Sequence, residues 1–328
     1  MHAEQHCVMA ACAQLATTPS KTWWTGSSLA SPALAGNRNE RGTTIEVSVV
    51  IPCFNAAATL PAQLEALVTQ RAAPAFEVVL VDDGSTDGSV GIAAGYQQAF
   101  PELRVHAMAH RGNVAAVRNA GVQQARGQHL LFCDADDVVG PDWVASLAGA
   151  LRSHDLVAGP FELTRLNAPW AVAAGNLSQT DGLQQDGFLP FAGGGNLGVR
   201  RQVFESLGGF DTSLPALEDT DLCFAAQLQG HDLAYIPRAV VHVRLRHTYR
   251  QLYRQGYGWG LGTAALHRKY LHDGLPLPSR RRHLAGWLLV VPRLLVAWDR
   301  ARLGRWWFAL GWRVGRLRGN VRYRLLLF

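Results

Sequence analysis

An alternation of strands and helices that begins near residue 46 constrains this chain more than any other feature. Val47–Ile51 is a β-branched run followed by Pro52, which predicts a buried strand that ends at the proline. The segment 59–70 places leucines at helical spacing and tolerates Pro61 in its first turn. The next strands are predicted at 76–81, 103–107 and 129–133, with a helix at 113–125. This order predicts an α/β fold with a mostly parallel sheet flanked by helices.

Polar clusters follow three of the predicted strands. They are Pro52-Cys53-Phe54-Asn55, Asp82-Asp83-Gly84-Ser85 and Asp134-Ala135-Asp136-Asp137. Because ligands of parallel α/β sheets bind beyond the carboxyl ends of the strands, we expect the three clusters to share one rim. A later segment, Gly193-Gly194-Gly195-Asn196, either lets the backbone approach a ligand closely or forms a flexible loop.

The third cluster places three carboxylates directly after the apolar run at 129–133. Like charges at a strand end repel one another unless a cation binds between them. Divalent ions such as Mg²⁺ are usually held by one or two carboxylates together with phosphate oxygens of the substrate. The cluster therefore predicts a divalent cation and a phosphate-bearing substrate.

Six short segments, in this order and spacing, resemble the glycosyltransferase 2 family, whose members use nucleotide sugars and have the GT-A fold. The segments are Val49–Asn55, Val81–Asp87, Arg118–Gly121, Asp134–Asp136, Gly208–Asp211 and Glu218–Asp221. The resemblance covers about residues 45–245. It implies a GT-A catalytic domain at 45–244, Rossmann-like in architecture.

The resemblance assigns roles in donor binding. It makes Asp136 the direct ligand of Mn²⁺ or Mg²⁺ and Asp134 a contact to the ribose or to the metal's water shell. It makes Asp83 an acceptor for the nucleobase imide. A further set of residues frames the base or meets the phosphates: Pro52, Phe54, Asn55 and Arg118. For Arg118 a solvated charge on a helix is the alternative, and Asp137 either touches the sugar or caps the following turn.

The same resemblance assigns the proton transfer. The pair Glu218-Asp219 opens a predicted helix, where carboxylates also serve as N-caps. Direct displacement at the anomeric carbon needs a base for the acceptor hydroxyl. The resemblance implies that Asp219 is this base, with inversion of the anomeric centre, and that Glu218 binds the acceptor. In some members a histidine near the position of His242 completes the metal shell; a structural His242 is the alternative, and His247 is a rival.

The charge is distributed unevenly. Residues 1–240 hold 13 basic and 23 acidic side chains, whereas residues 241–328 hold 18 basic and 2 acidic ones together with six of the ten tryptophans. Arginine and tryptophan on amphipathic helices predict a region at 245–328 that binds an anionic membrane surface. A helical subdomain packed on the catalytic domain is the alternative, and nucleic-acid binding is not expected. Residues 1–44 have little periodicity and are predicted to be disordered.

The five cysteines are odd in number and form no CxxC pair, which predicts buried free thiols in a reducing compartment. We therefore expect a cytoplasmic enzyme, peripheral on the inner face of the cell membrane. Its predicted reaction moves a sugar from a UDP-sugar to a hydroxyl of a lipid-linked or surface glycan. Two alternatives stay open: transfer to a polyprenyl phosphate, and an inactive GT-A domain that binds ligands at a membrane.

Overall fold

The computed structural model of the protein describes residues 44–175, 177–276 and 280–325. Residues 1–44 were predicted to be disordered. Of these, all but Thr44 lie outside the described residues. Cys53, Cys133 and Cys223 are buried free thiols, which confirms the prediction for these three. Burial raises the pKa of Cys53 to about 11 and that of Cys223 to about 12.

Ten strands form two sheets. They are β1 Val47–Cys53, β2 Phe76–Asp82, β3 Leu103–Ala107, β4 His129–Phe132, β5 Val138–Val139, β6 Leu156–Ala158, β7 Phe161–Glu162, β8 Leu197–Arg200, β9 Leu233–Tyr235 and β10 Val241–His242. The large sheet has the order β3-β2-β1-β4-β8-β6-β9. Its first four strands are parallel, β8 is antiparallel to β4 and β6, and β9 is parallel to β6. The predicted, mostly parallel sheet is confirmed.

The first strand runs further than predicted. The sequence placed its end at Pro52, whereas β1 continues through Pro52 to Cys53 and pairs with β2 over its whole length. On the other side, β4 pairs with β1 only as far as Val50. Proline is tolerated here because β1 has a free side beyond that point, where a missing N–H breaks no ladder.

Eleven α-helices accompany the sheets in the described part of the chain. They are α1 Leu60–Val68, α2 Ser89–Tyr96, α3 Val114–Gln124, α4 Trp143–Ala150, α5 Pro169–Ala174, α6 Arg201–Ser206, α7 Glu218–Leu228, α8 Tyr249–Lys269, α9 Arg280–Leu288, α10 Val290–Leu295 and α11 Arg300–Arg322. Alternate residues of β1 belong to different core clusters, Val49 and Ile51 to one and Val50 to the other. Both faces of the large sheet are therefore covered.

The small sheet has the strand order β5-β10-β7, and β5 begins directly after the acidic cluster. In β10, Val241 pairs with Val139 of β5 and with Phe161 of β7. The segment after β10 then reaches Thr248, which caps α8 by accepting a hydrogen bond from the Gln251 N–H. This route carries residues 243–247 along the rim where the parallel strands end.

Helices α8 and α11 are packed through glycines on both partners. A Cβ added to Gly256 or Gly260 would lie 2.2 or 2.0 Å from a carbonyl oxygen of α11, and one added to Gly311 or Gly315 would lie 2.1 or 2.0 Å from a carbonyl oxygen of α8. No side chain fits at any of these positions, so the two backbones touch. The start of α11 also contacts α5, where the Arg300 guanidinium lies 4.0 Å from the ring centre of Trp170.

The structure therefore agrees, for α8 and α11, with the alternative of a helical subdomain packed on the catalytic domain. The segment between them is different. Many of its described large apolar side chains are exposed, among them Leu288 at 78%, Leu295 at 80% and Trp298 at 75%. Among the described residues, no helix is both long and apolar enough to cross a membrane.

Candidate active site

A cleft of about 1080 Å³ opens at the carboxyl ends of the parallel strands. The three polar clusters that follow β1, β2 and β4 all line it, as the sequence predicted. Residues from the start of α7, from the segment 243–247 and from α8 line it as well. Among the predicted site residues, the cleft brings together Pro52, Phe54, Asn55, Asp83, Arg118, Asp134, Asp136, Glu218 and Asp219.

Asp83 occupies one end of this cleft and is only 4% exposed. Its carboxylate accepts hydrogen bonds from the N–H groups of Arg111 at 2.7 Å and Gly112 at 3.0 Å. The imidazole Nδ1 of His110 lies 2.9 Å from the same carboxylate, and its ring stacks on Phe54 with centroids 4.4 Å apart. Sequence reasoning missed His110, because it follows a strand with no motif around it. The half-exposed Phe54 ring offers a flat face to the cleft.

Asn55 holds two neighbouring loops together. Its backbone is left-handed, with a φ of 49°, a conformation that asparagine adopts more easily than most residues. The Asn55 side-chain oxygen accepts from the Thr86 N–H at 2.8 Å, and the Asn55 N–H donates to the Ser85 hydroxyl at 2.8 Å. The loops after β1 and β2 are thereby fixed to each other beside Asp83.

The acidic cluster gathers into a compact donor set. One carboxylate oxygen from each of Asp134, Asp136 and Asp137 lies within 4.8 Å of the others. Burial, and after it the neighbouring carboxylates, raise the pKa of both Asp136 and Asp137. Three crowded carboxylate oxygens are the ligands that Mg²⁺ and Mn²⁺ prefer. The residues present therefore fit a hard divalent cation.

Two arginines to which sequence reasoning gave no role in the site, Arg244 and Arg246, contact this cluster. The Arg246 guanidinium is 3.0 Å from the Asp136 carboxylate. The Arg244 backbone N–H donates to the Asp137 carboxylate at 2.7 Å, and the Arg244 side chain donates to the Asp136 carbonyl at 3.1 Å. The spacing Arg-x-Arg directly after a strand, which sends both side chains to one face, was the signal available in the sequence.

His242 lies elsewhere. Its Nδ1 is 2.8 Å from the Glu162 carboxylate, which faces it from β7. Within the described part of the chain, the group of potential metal ligands around Asp136 does not include His242. The predicted ligation by His242 thus has no geometric support and stays a prediction, whereas its rival His247 does line the cleft.

Arg118 connects the acidic cluster to the first turn of α7. It is 3% exposed and donates one N–H to Asp134 at 2.8 Å and another to Glu218 at 2.7 Å. The solvated alternative for Arg118 is therefore wrong. Burial, and next the charge of Asp219, raise the pKa of Glu218 to about 7 despite the salt bridge. Glu218 thus faces Arg118 rather than open solvent.

Asp219 projects from the first turn of α7 into the cleft. Its carboxylate accepts from the Gly194 N–H at 2.7 Å and from the Thr220 N–H at 2.7 Å. The residue before this turn, Leu217, has a φ of 65°, which is costly for a leucine. Two backbone donors and a strained entry to the helix fix where this carboxylate points.

The glycine run at 193–195 serves close packing within the site. A Cβ added to Gly194 would lie 2.6 Å from the Arg118 guanidinium, and one added to Gly195 would lie 2.9 Å from the Asp134 carboxylate. Gly194, Gly195 and Asn196 form a turn of 3-10 helix that leads into β8, and all three residues are buried. The flexible-loop alternative is therefore wrong, because these glycines make room for Arg118 and Asp134.

Comparison with known proteins agrees with this geometry. The family model described as Glycosyl transferase family 2 matches residues 48–208, and that described as Glycosyl transferase family group 2 matches residues 129–322, more than half of the chain. The chain is 28% identical over 235 residues to the glycosyltransferase YibD of Escherichia coli, covering 69% of this chain and 65% of that protein. It is 28% identical over 253 residues to glycosyltransferase AglE of Haloferax volcanii, covering 74% and 80%.

Two solved structures share the fold at low sequence identity. The mannosyltransferase PcManGT of Pyrobaculum calidifontis, in complex with GDP-Man and Mn²⁺, matches with a TM-score of 0.59 at 20% identity, over 84% of this chain and 87% of that one. TarS 1–349 of S. aureus, in complex with UDP, matches with a TM-score of 0.51 at 17% identity, over 85% and 91%.

The chain belongs to glycosyltransferase family 2 and has the GT-A fold. Its family and its two curated relatives above are glycosyltransferases, and the chain spans 65% of the length of the first of those relatives.

Proposed function

We propose that the protein is a metal-dependent, inverting glycosyltransferase that moves a sugar from a UDP-sugar to a hydroxyl of a glycan. One observation carries the proposal: Arg118 links the metal-binding carboxylates to the α7 turn that holds Asp219, and both groups line one cleft. A cleft with a cation site on one side and a fixed carboxylate on the other suits displacement at a carbon between them.

The residues divide the work. Asp136, with Asp134 and Asp137 close by, would hold Mn²⁺ or Mg²⁺, which supplies charge neutralisation for a leaving diphosphate. Phe54 and Asp83 bind the base at the other end of the donor. Asp219 takes the proton of the acceptor hydroxyl, and its two backbone donors fix the direction in which the carboxylate points. The PcManGT complex, which contains GDP-Man and Mn²⁺, supports the choice of cofactor and leaves GDP-sugars as the second donor class.

The test of this proposal is turnover of UDP- and GDP-sugars by the full chain with Mn²⁺ or Mg²⁺. We expect slow donor hydrolysis, and loss of it on addition of a chelator. Binding of UDP without turnover, across donors and acceptors, would favour the inactive binding module. Transfer to a polyprenyl phosphate needs no strong base, so the fixed Asp219 argues against it.

The Arg246 guanidinium occupies one carboxylate of the proposed cation site. Its guanidinium neutralises Asp136 and would have to leave that carboxylate when a metal arrives, at which point it can turn to the donor phosphates. We expect Arg246→Gln to tighten binding of Mn²⁺ alone about 2- to 5-fold, since the lost ion pair is half exposed. The same substitution weakens UDP binding in the presence of Mn²⁺ by roughly 10-fold, because a charged phosphate contact is lost.

Titration calorimetry of Mn²⁺ alone, and then of UDP with Mn²⁺ present, measures both effects. The matched control is Arg238→Gln, which removes the same charge from an 83% exposed side chain 4.0 Å from Asp142. If both affinities move in the same direction, or if Arg238→Gln reproduces the changes, Arg246 does not exchange Asp136 for the donor.

We place the enzyme at the cytoplasmic face of a membrane, held through part of the region 245–328. The exposed apolar side chains concentrate between α9 and the start of α11: Leu284, Leu288, Leu289, Val291, Leu294, Leu295, Val296 and Trp298. Arginines lie at both ends of this segment in the sequence. Helices of this kind lie in the membrane interface, where burying each large apolar side chain is worth roughly 1.5–3 kcal/mol.

The double variant Leu288→Glu/Leu295→Glu is therefore expected to abolish flotation with vesicles of phosphatidylcholine and phosphatidylglycerol, because it puts two charges on the inserted face. Leu228→Glu is the matched control, since this leucine is 45% exposed on α7. It should float like the wild type. Failure of the wild type itself to float would refute membrane binding, and equal flotation of the double variant would place the contact elsewhere.

A further inference from the structure

A second cavity, of about 410 Å³, lies between α5, α9, α10 and α11. It shares none of its described lining residues with the candidate active site. Its volume is within the roughly 300–1,000 Å³ of pockets that hold a small molecule. Four arginines line it: Arg293 of α10, and Arg302, Arg305 and Arg313 of α11. We propose that this arginine cavity binds the phosphate group of an anionic phospholipid.

Three of the arginines lie on one face of α11. Arg302, Arg305, Ala309 and Arg313 follow one another at intervals of three or four residues, so their side chains leave the helix on the same side. Ala309 also lines the cavity, and its methyl group fills little of the space between Arg305 and Arg313. Arg293 approaches from the last turn of α10. The arginine cavity therefore collects cationic side chains from two helices.

The positive charge of the arginine cavity is largely uncompensated. Asp299 is the only acidic residue of α9, α10, α11 and the connections between them, and it pairs with Arg302 at 3.3 Å. Within the described ranges, no carboxylate forms an ion pair with Arg293, Arg305 or Arg313. Burial, and after it the charge of Arg293, lower the pKa of Arg313. Because like charges held this close repel one another, an anion that binds among them is stabilised.

Backbone carbonyls hold two of the arginines in place. Arg305 donates to the Ala173 carbonyl near the end of α5, and Arg313 donates to the Ala309 carbonyl at 3.0 Å. Each of these bonds uses one N–H of a guanidinium that has five. A guanidinium binds two phosphate oxygens through parallel N–H groups. Both arginines are therefore fixed and still have donors for a phosphate.

Contacts of α9 and α10 close the other walls of the cavity. A Cβ added to Gly286 would lie 3.1 Å from the Arg313 guanidinium, so α9 passes directly beside this group. The Trp306 indole N–H donates to the Val290 carbonyl at 2.8 Å, which joins α10 to α11. The arginine cavity is therefore enclosed by helices that contact one another, which distinguishes it from a cluster of arginines on an open surface.

The position of the cavity favours a phospholipid over a free phosphate. Val290 and Val296 line it, and between them lie the exposed side chains of Val291, Leu294 and Leu295. Acyl chains can follow these side chains while the phosphate enters the cavity, so the choice of a lipid rests on the membrane contact proposed above. Basic pockets between helices at a membrane surface bind anionic head groups. A zwitterionic headgroup would bring a further cation to the arginines, so we expect phosphatidylglycerol to be preferred over phosphatidylcholine.

Titration calorimetry of the full chain with dihexanoyl-phosphatidylglycerol, below its critical micelle concentration, tests this site. We expect binding that Arg293→Gln/Arg313→Gln weakens about 10-fold or more, since two charged contacts to the phosphate are lost. Dihexanoyl-phosphatidylcholine should bind at least about 10-fold more weakly to the wild type. The matched control is Arg318→Gln/Arg322→Gln, which removes the same charge from exposed positions of α11 outside the cavity. It should change the affinity by less than about twofold, because solvent and salt screen these charges. Circular dichroism melts verify that both double variants are folded.

Inorganic phosphate distinguishes the two sources of the same chemistry, and we expect it to compete only weakly with the lipid. If it binds as tightly as dihexanoyl-phosphatidylglycerol, the cavity is a site for free phosphate and the lipid assignment is overturned. The proposal also fails if this lipid does not bind, or if both double variants weaken its binding equally, since the attraction would then follow net charge alone. If the lipid binds through Arg293 and Arg313 but the protein does not float with vesicles, the arginine cavity stands and the membrane placement fails.

Discussion

Replacing Asp219 by asparagine is expected to lower kcat for sugar transfer by roughly 10²- to 10⁴-fold, the range that a general base contributes. Asparagine has the same shape and can still accept a hydrogen bond from the Gly194 N–H, which holds the aspartate at 2.7 Å. It cannot take a proton from an acceptor hydroxyl. UDP binding should therefore stay within about twofold of the wild type, because the change leaves the donor contacts in place.

Asp221→Asn is the matched control, two residues further along α7. Asp221 is 3% exposed and is bound by Lys269 at 2.7 Å and by the Tyr270 hydroxyl at 2.7 Å, so its role is structural. We expect this variant to lower the thermal midpoint and to leave kcat of the folded enzyme within a few-fold. If Asp219→Asn keeps near-wild-type turnover, the proton goes to another group, and Glu218→Gln becomes the next variant to measure.

Gly260→Ala is expected to destabilise the protein strongly. The added Cβ would lie 2.0 Å from the Trp312 carbonyl oxygen and 2.8 Å from the Arg316 N–H nitrogen. Both are backbone atoms, so relief requires α8 and α11 to move apart. Overpacking of this kind costs about 1–3 kcal/mol or more, and we expect the thermal midpoint to fall by several degrees.

The control lies two residues away in the same helix. A Cβ added to Gly258 would meet nothing within 4 Å. Gly258→Ala should therefore raise stability by roughly 0.5–1 kcal/mol, because alanine loses less backbone entropy in a helix than glycine does. Circular dichroism melts of both variants and the wild type measure the two opposite shifts. Equal shifts in both variants would show that α8 and α11 are not held in backbone contact.

Much of the catalytic domain follows from local pattern. The strand at 103–107 has the predicted bounds, and the helix predicted at 113–125 is α3, capped by Asn113 as its side chain accepts from the Ala116 N–H. The polar clusters at the strand ends share one rim because parallel strands end on the same edge. The hydrophobic period of an element and the polar residues at its end are short-range signals. They can be read from the sequence without knowledge of tertiary contacts.

The partners of the site residues depend on contacts between distant parts of the chain. Arg118 meets Glu218 across 100 residues, and Arg246 meets Asp136 across 110. His242 is the last residue of β10, and its ring faces Glu162 because β10 pairs with β7. No periodicity encodes such pairings, since they arise only when the small sheet and α7 dock on the large one.

The sequence by itself determined the α/β architecture, the rim of the cleft and the candidate carboxylates, because hydrophobic period and strand-end residues act over a few positions. Only the tertiary structure decided which helices of the basic region pack against the rest of the protein. Its composition favoured a membrane-binding segment and left a packed subdomain as the alternative. Glycines at 256, 260, 311 and 315 bring α8 and α11 into backbone contact, while another face of α8 lines the cleft and many apolar residues of α9 and α10 are exposed. Which face a helix buries depends on what it packs against, and that information lies in the folded chain.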